Sequence, residues 1–344
     1  MKIAIDCRYI GMSGIGRVCE GILNNLDYSE NEYYLVGKKE KLEKYLGANI
    51  LEDNNNPYSK KGILGINREV NKLCDIIIIP NFLIPFNVKI PAYTIMHDLA
   101  FLDVKVTTKN YIDKKIKSIL LKRCMKKSKK IACVSGFTVN RCKHYYKKLA
   151  DKCYINYNGL SSEILSFNKT NIEKNNHIVF VGNVKPHKGL KTLIDAYKKL
   201  PNNLYKLKII GNKDNFSVGL NTSDIEYEGV EFTGRISDEE LFYEVASAQM
   251  LVLPSHYEGF GLPPLEALYL GTKPIISDIE VFKEIYSDFD VEFFKLGDSD
   301  DLCQKIQSVD TFVKTTKEEI TSKYNYKNFV KEFLDKIQEN INNK

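Results

Sequence analysis

The sequence predicts an α/β protein of two Rossmann-like domains whose parallel sheets face each other across a cleft. Three observations carry this. Short, nearly continuous apolar runs alternate with longer amphipathic stretches, as expected of strands covered on both faces and the helices that connect them. The alternation stops at a polar, aperiodic stretch and then starts again. The length of 344 residues suits about two domains at roughly 150 residues each. Two such halves leave a cleft between the carboxyl ends of their sheets, where folds of this kind bind ligands.

In the first half, strands are expected at KIAIDC (2–7), YYLVG (33–37), DIIIIP (75–80), AYTIMH (92–97), KIACVS (130–135) and YINYN (154–158). Helical patterns fall near 16–26, 109–127 and 137–150. The polar stretch SSEILSFNKTNIEKNN follows Gly159, and a linker is expected at about 160–176. The second series reads HIVFVG (177–182), YKLKIIG (205–211), VEFTG (230–234), AQMLVLP (248–254), TKPIIS (272–277) and VEFFKL (291–296), with helices near 188–199, 238–247, 262–270 and 299–309. The expected domains are 1–165 and 166–325. The last segment, YKNFVKEFLDKIQENI, is an amphipathic helix, and at about 326–344 it is a candidate to pack back on the first domain.

Composition narrows the class. Hydrophobic residues at 43% and charged residues at 27% exclude a disordered or collagen-like chain. A net charge of +6 with a pI of about 8.6 is too weak a bias to imply a nucleic-acid partner without a localised patch. The opening MKIAIDCRYI is too short and polar for a signal peptide, and no apolar run approaches the roughly 18 residues of a membrane span. The expected location is therefore the cytoplasm. Eight cysteines occur without a C-x2-C pair, so neither a zinc site nor a thioredoxin motif is expected, and the thiols should be reduced.

The segment LPSHYEGFGLPPLEALYLG (253–271) is the most informative. A strand ends at Pro254, and a loop carries Glu258 and Gly259-Phe260-Gly261. Pro263 and Pro264 suit the first turn of a helix, which does not need their missing N–H groups. A helix start exposes amides and a positive dipole end to whatever lies at the cleft, and glycine lets backbone approach a ligand closely. Glu258 and Glu266 would flank that cradle and can accept hydrogen bonds from sugar hydroxyls. The spacing suits equally a dipole-complementing Glu266 and a solvated Glu258.

Glu258-x7-Glu266 around GFGLP resembles the donor-site signature of retaining glycosyltransferase family 4, whose mannosyltransferase-like members serve bacterial polysaccharide synthesis. SGIGR (13–17), MHDLAFL (96–102), VSGFT (134–138), YNG (157–159), VGNVKPHKGL (181–190) and FTGRISDEEL (232–241) resemble further segments of that family, in order along nearly the whole chain. The resemblance implies a GT-B fold and a metal-independent hexosyltransferase without a cofactor. Its substrates would be a nucleotide-diphosphate sugar, with GDP-mannose favoured, and a hydroxyl of a glycan or lipid-linked acceptor. It implies that Glu266 binds the nucleotide ribose and Glu258 faces the donor sugar. The amides of Phe260, Gly261 and Leu262 would hold sugar hydroxyls and diphosphate.

Lys188 is expected to offset charge on the leaving diphosphate, usually the largest catalytic contribution. The family pairs this lysine with an arginine where this chain has Asn183, so Lys185, His187 or Arg17 is expected to supply the missing charge. The resemblance places Gly14 and Gly16 over the donor and His97 against its sugar. Asp98 and Arg235 are further candidates.

Other features have structural readings. Ser237-x-x-Glu240 reads as a capping box, and Asp298-Ser-Asp-Asp301 as a helix cap rather than a metal-binding D-x-D. Residues 109–130 hold ten Lys/Arg and one acid, with Ile112, Ile116, Leu120 and Leu121 at helical spacing. Such a helix can dock on an anionic membrane surface, at the inner face of the cell membrane, or it can be a domain helix with a solvated lysine face. UDP- or dTDP-sugar transfer and nucleotide-sugar epimerisation are the alternatives on the same fold. A nicotinamide oxidoreductase is disfavoured because SGIGR does not complete G-x-G-x-x-G at Cys19. A basic membrane- or nucleic-acid-binding module leaves Glu258 and Glu266 unexplained.

Overall fold

The computed structural model describes residues 1–104, 111–168, 172–201, 204–211 and 227–343. Contacts divide the chain into two compact units, one built from residues 1–102, 109–162 and 324–344, the other from 103–108 and 163–323.

The first unit holds a seven-stranded sheet. Its strands are β1 (Lys2–Asp6), β2 (Glu32–Gly37), β3 (Asn49–Glu52), β4 (Ile76–Ile79), β5 (Ala92–Met96), β6 (Ser128–Cys133) and β7 (Cys153–Ile155). They lie in the order β3-β2-β1-β4-β5-β6-β7, all pairs parallel. The central strands IIII (76–79) and AYTIM (92–96) are buried at every residue, whereas β3 is exposed or half-buried throughout. That difference explains why β3 is absent from the sequence reading: an edge strand needs no continuous apolar run. The helix Tyr326–Asn342 belongs to this unit. Leu160 bridges Asn325, and Asn156 Nδ2 donates to the Phe329 carbonyl at 3.2 Å.

The second unit repeats the scheme with six strands, β8 (His177–Val181), β9 (Lys206–Ile210), β10 (Val230–Gly234), β11 (Met250–Leu253), β12 (Lys273–Ser277) and β13 (Glu292–Phe294). The order is β10-β9-β8-β11-β12-β13, again parallel. In both units the order reverses beside the first strand, the place where such sheets open a crevice. Two expected caps are present. Ser237 and Glu240 form a reciprocal capping box, and Asp298 accepts from the Asp300 and Asp301 amides, both at 3.1 Å.

Two sequence expectations shift. Ser13-Gly-Ile-Gly-Arg17 is the first turn of the helix Ser13–Leu23, which starts three residues before the expected 16–26. The apolar residues of the basic segment do not share one face of the helix Tyr111–Lys127. Leu120 and Leu121 enter the core, while Ile112 (67% exposed) and Ile116 (50%) stay out. Residues 128–130 begin β6, and residues 109–110 lie outside the described residues. Among the described residues no helix is long and apolar enough to cross a membrane.

The glycines of Ser13–Leu23 divide by what surrounds them. A Cβ on Gly21 would overlap the Tyr326 ring, whereas one on Gly14 would meet nothing. Gly21→Ala is expected to cost about 1–3 kcal/mol by overpacking. Gly14→Ala should be neutral or stabilising by up to about 1 kcal/mol. Equilibrium urea unfolding of the two variants measures the difference.

Candidate functional site

The loops that leave β8 and β11 meet at the switch point of the second sheet. They are fastened backbone to backbone: His256 N–H donates to the His187 carbonyl at 2.7 Å. Gly189 makes the approach possible. It has φ +67°, and a Cβ there would collide with the Pro254 carbonyl. The short 3₁₀ turn Pro186–Lys188 then hands the chain to the helix Leu190–Tyr197.

This fastening brings Lys188 and Glu258 together. Lys188 Nζ donates to both carboxylate oxygens, at 2.6 and 2.7 Å, and Ser255 Oγ donates to Oε1 at 2.7 Å. The side chains are 21% and 11% exposed, so the pair is largely but not wholly sealed. An ammonium has three donors, and the two bonds to one carboxylate leave one for a ligand. Ser255, buried at the end of β11, is a site residue that the sequence reading missed.

The helix Leu262–Tyr269 starts where GFGLPP predicts. Gly261 precedes it at φ +85°, a conformation that strains any residue with a Cβ, and a Cβ would sit 2.5 Å from the Phe282 ring. The Tyr286 hydroxyl donates to the Gly261 carbonyl. Phe282 and Tyr286 lie on the helix Glu280–Tyr286, also missed, although Val281, Phe282, Ile285 and Tyr286 have helical spacing. Pro263 and Pro264 carry no N–H, so the first turn offers fewer donors than an ordinary helix start. The Leu262 amide is what remains there. Glu266 is buried one turn on, on the face that Leu262 occupies. Phe260 is buried as well.

The remaining candidates are placed as follows. Asn183 and Lys185 are exposed in the loop after β8, with His187 half-buried beside them. Arg235 is exposed just past β10, on the sheet edge two strands from β8, and does not join the Lys188–Glu258 pair. In the first unit, Gly14 is exposed, whereas Gly16 is buried and a Cβ there would sit 2.6 Å from the Tyr9 carbonyl, a steric reason for that glycine. Arg17 is half-buried. His97 stands at the carboxyl end of β5 with Nε2 2.8 Å from the Pro80 carbonyl. A carbonyl only accepts, so Nε2 carries the hydrogen and Nδ1 is left as acceptor. Burial pushes the imidazole below its usual pKa, against the opposing pull of Pro80 and Asp98. Asp98 Oδ1 accepts from the Ala100 amide at 2.8 Å, which gives that carboxylate a structural task.

The eight cysteines are free thiols. Among the described residues, one group has the makings of a metal site: the sulfurs of Cys133, Cys142 and Cys153 lie within 4.8 Å of one another. It is in the first unit.

A doubly wound sheet with a charged pair and a helix start at its switch point defines an α/β protein whose candidate site lies where such sheets open a crevice. Residues 162–317, nearly all of them in the second unit, match the family Glycosyl transferases group 1. O-antigen chain mannosyltransferase RfbU of Salmonella typhimurium is 31% identical over 179 residues, 51% of this chain and 50% of that protein. O-antigen chain mannosyltransferase B of Escherichia coli is 27% identical over 225 residues, 61% and 58% of the two chains. The chain thus spans about half the length of the curated relatives it matches. Anabaena HepE, solved in complex with UDP-glucose, is similar in fold with a TM-score of 0.76 over 98% of this chain and 100% of that one, at 14% identity. The fold is of the GT-B type.

Removing one member of the Lys188–Glu258 pair leaves an uncompensated charge in a mostly buried place. Lys188→Met and Glu258→Gln are each expected to lower stability by about 1–3 kcal/mol. The double variant should lose clearly less than the sum, with a coupling of about 1–2 kcal/mol. A double-mutant cycle in chemical denaturation checks this, and additivity would mean that the pair is not energetically coupled.

Proposed function

We propose that the protein is a retaining hexosyltransferase that takes a nucleotide-diphosphate sugar, with GDP-mannose favoured, and glycosylates a hydroxyl of a glycan or lipid-linked acceptor in surface polysaccharide synthesis. The observation that carries this is the Lys188–Glu258 pair beside the helix start at Leu262. A cation with a donor to spare, a helix-start amide and a positive dipole end suit a diphosphate. A carboxylate one loop away suits sugar hydroxyls. The mannosyltransferase relatives support mannose as the sugar, while UDP- and dTDP-sugars are the alternatives.

In the reaction, the bond from the anomeric carbon to the diphosphate oxygen breaks as the acceptor oxygen bonds to that carbon on the same face. The acceptor proton passes to the departing phosphate oxygen. The protein's part is to position the reactants and to stabilise charge on the diphosphate. Lys188 and the Leu262 amide serve the diphosphate, Glu258 the sugar and Glu266 the ribose. The amides of Phe260 and Gly261 are assigned alongside Leu262 by the family resemblance, as are His97, Gly14 and Gly16 to the donor. The charge missing at Asn183 falls to exposed Lys185 first, with His187 and Arg17 next. No metal or cofactor is assigned to this chemistry.

The helix Tyr111–Lys127 supports docking on an anionic lipid surface. Ile112, Ile116 and Ile119 are each at least half exposed and alternate with exposed Lys115, Lys122 and Lys126 along one face. Apolar insertion and electrostatic attraction then act from the same side.

A thermal-shift panel of GDP, UDP and dTDP with their sugars tests the donor. A ligand at 100 times its Kd adds about 2.7 kcal/mol of stability. The GDP series is expected to give the largest shift, and Glu266→Ala to abolish most of it. An unchanged shift in that variant would refute the ribose role. Flotation with anionic liposomes should capture the protein at low salt and release it at high salt. Replacing Ile112 and Ile116 by Ser should weaken capture, and equal capture by neutral liposomes would refute the docking.

A further inference from the structure

The cysteines of the first unit carry an inference separate from sugar transfer. Cys133 ends β6 and Cys153 starts β7, and the strand register pairs Cys153 with Ile131. Residues two apart on a strand share a face, so Cys133 and Ile131 point the same way, and Cys153 beside them does too. The helix Gly136–Tyr146 packs on these strands and contributes Cys142. Three elements that are not consecutive in spacing, with gaps of eight and ten residues, therefore converge on one point. The three sulfurs lie within 4.8 Å of one another. Sulfurs around one tetrahedral zinc ion, each at about 2.3 Å from it, stand roughly 4 Å apart.

From this convergence we propose that Cys133, Cys142 and Cys153 form a three-thiolate site for a thiophilic d¹⁰ cation, zinc(II) first. Cys133 and Cys142 are fully buried, while Cys153 is partly exposed and gives the ion its way in. Water completes the coordination on that open side. On binding, each thiol releases its proton to solvent as its sulfur bonds to the metal, so three protons leave for one divalent ion and the site carries one net negative charge. Lys152 and Lys143 supply positive charge close to Cys153. Lys152 is held in place by donating to the Ser128 carbonyl at 2.7 Å. A further buried thiol of this unit, Cys124, is engaged elsewhere, by Thr94 at 3.4 Å and Ser128 at 3.5 Å.

The ion would tie the carboxyl end of β6 to β7 and to the helix that Ser135 caps, accepting from the Thr138 amide at 3.1 Å. Thr138 Oγ1 donates to the His97 carbonyl at 3.4 Å. Metal binding would thus brace the backbone at His97 without touching a substrate. Soft thiolates select zinc, cadmium or copper(I) over magnesium and calcium.

The test uses the reduced full-length protein, freed of metal by chelation. Titration with Cd²⁺ should produce a thiolate charge-transfer band in the ultraviolet that saturates at one equivalent. Native mass spectrometry after Zn²⁺ addition should show one ion per chain, and the Tm should rise by a few degrees. Cys153→Ser and Cys142→Ala should each lose the band and the Tm rise, with folding checked by circular dichroism. Cys124→Ser should retain both. Absence of the band in wild type, or its survival in both site variants, would overturn the proposal. Rapid air oxidation of two of the three thiols to a disulfide, with no metal uptake by the reduced form, would overturn it as well.

Discussion

The second unit depends on the fastening of two loops at the switch point of its sheet. A lysine and a glutamate seventy residues apart meet because the His256 amide reaches the His187 carbonyl and because Gly189 has no side chain to hold Pro254 away. Without that close approach, Lys188 would be an ordinary solvated residue and Glu258 a loop carboxylate. With it, both charges are drawn out of water to a degree that makes each dependent on the other. Ser255, itself held by Ser277, steadies the carboxylate from the side of the strand.

The helix that follows is set with similar economy. Gly261 turns the chain at positive φ against the ring of Phe282, and Tyr286 holds its carbonyl. The two prolines fix the first turn while removing its second and third donors. An ordinary helix start would offer several N–H groups to any anion. This one leaves the Leu262 amide with Glu266 one turn behind it, so a ligand must fit a narrow arrangement rather than a general positive end. The helix Glu280–Tyr286 is therefore part of the site, although it need touch no ligand.

Much of this was legible in the sequence because the relevant physics is local. Continuous apolar runs marked the buried central strands, GFGLPP marked a helix start, and Ser237 and Asp298 marked caps by their spacing to later residues. What was not legible depends on tertiary placement. β3 is an edge strand and has no apolar run. Leu120 and Leu121 shared a period with Ile112 and Ile116, but the sheet covers only one end of that helix. The roles of Ser255, Phe282 and Tyr286 follow from which strand ends lie side by side. The spacing of Cys133, Cys142 and Cys153 resembles no metal motif, because their meeting is fixed by strand register rather than by a short loop.

The two switch points share a topology and differ in what they leave open. At the end of β1 the buried pair is Asp6 and Arg8, with Nε and Nη2 each 2.8 Å from the carboxylate and Nη1 donating to the Gly62 and Gly65 carbonyls. Both side chains are essentially inaccessible, at 1% and 0% exposed. A guanidinium bonded through every nitrogen and sealed from solvent is out of a ligand's reach, and its work is to fix the loop after β1. At the end of β8 the strand runs into Gly182 and an open loop, and the cation beyond it keeps a donor and a measure of exposure. One fold thus uses a buried ion pair in one unit to close a switch point. In the other it uses a less buried pair that leaves the equivalent place partly open, and the proposed diphosphate site rests on that difference.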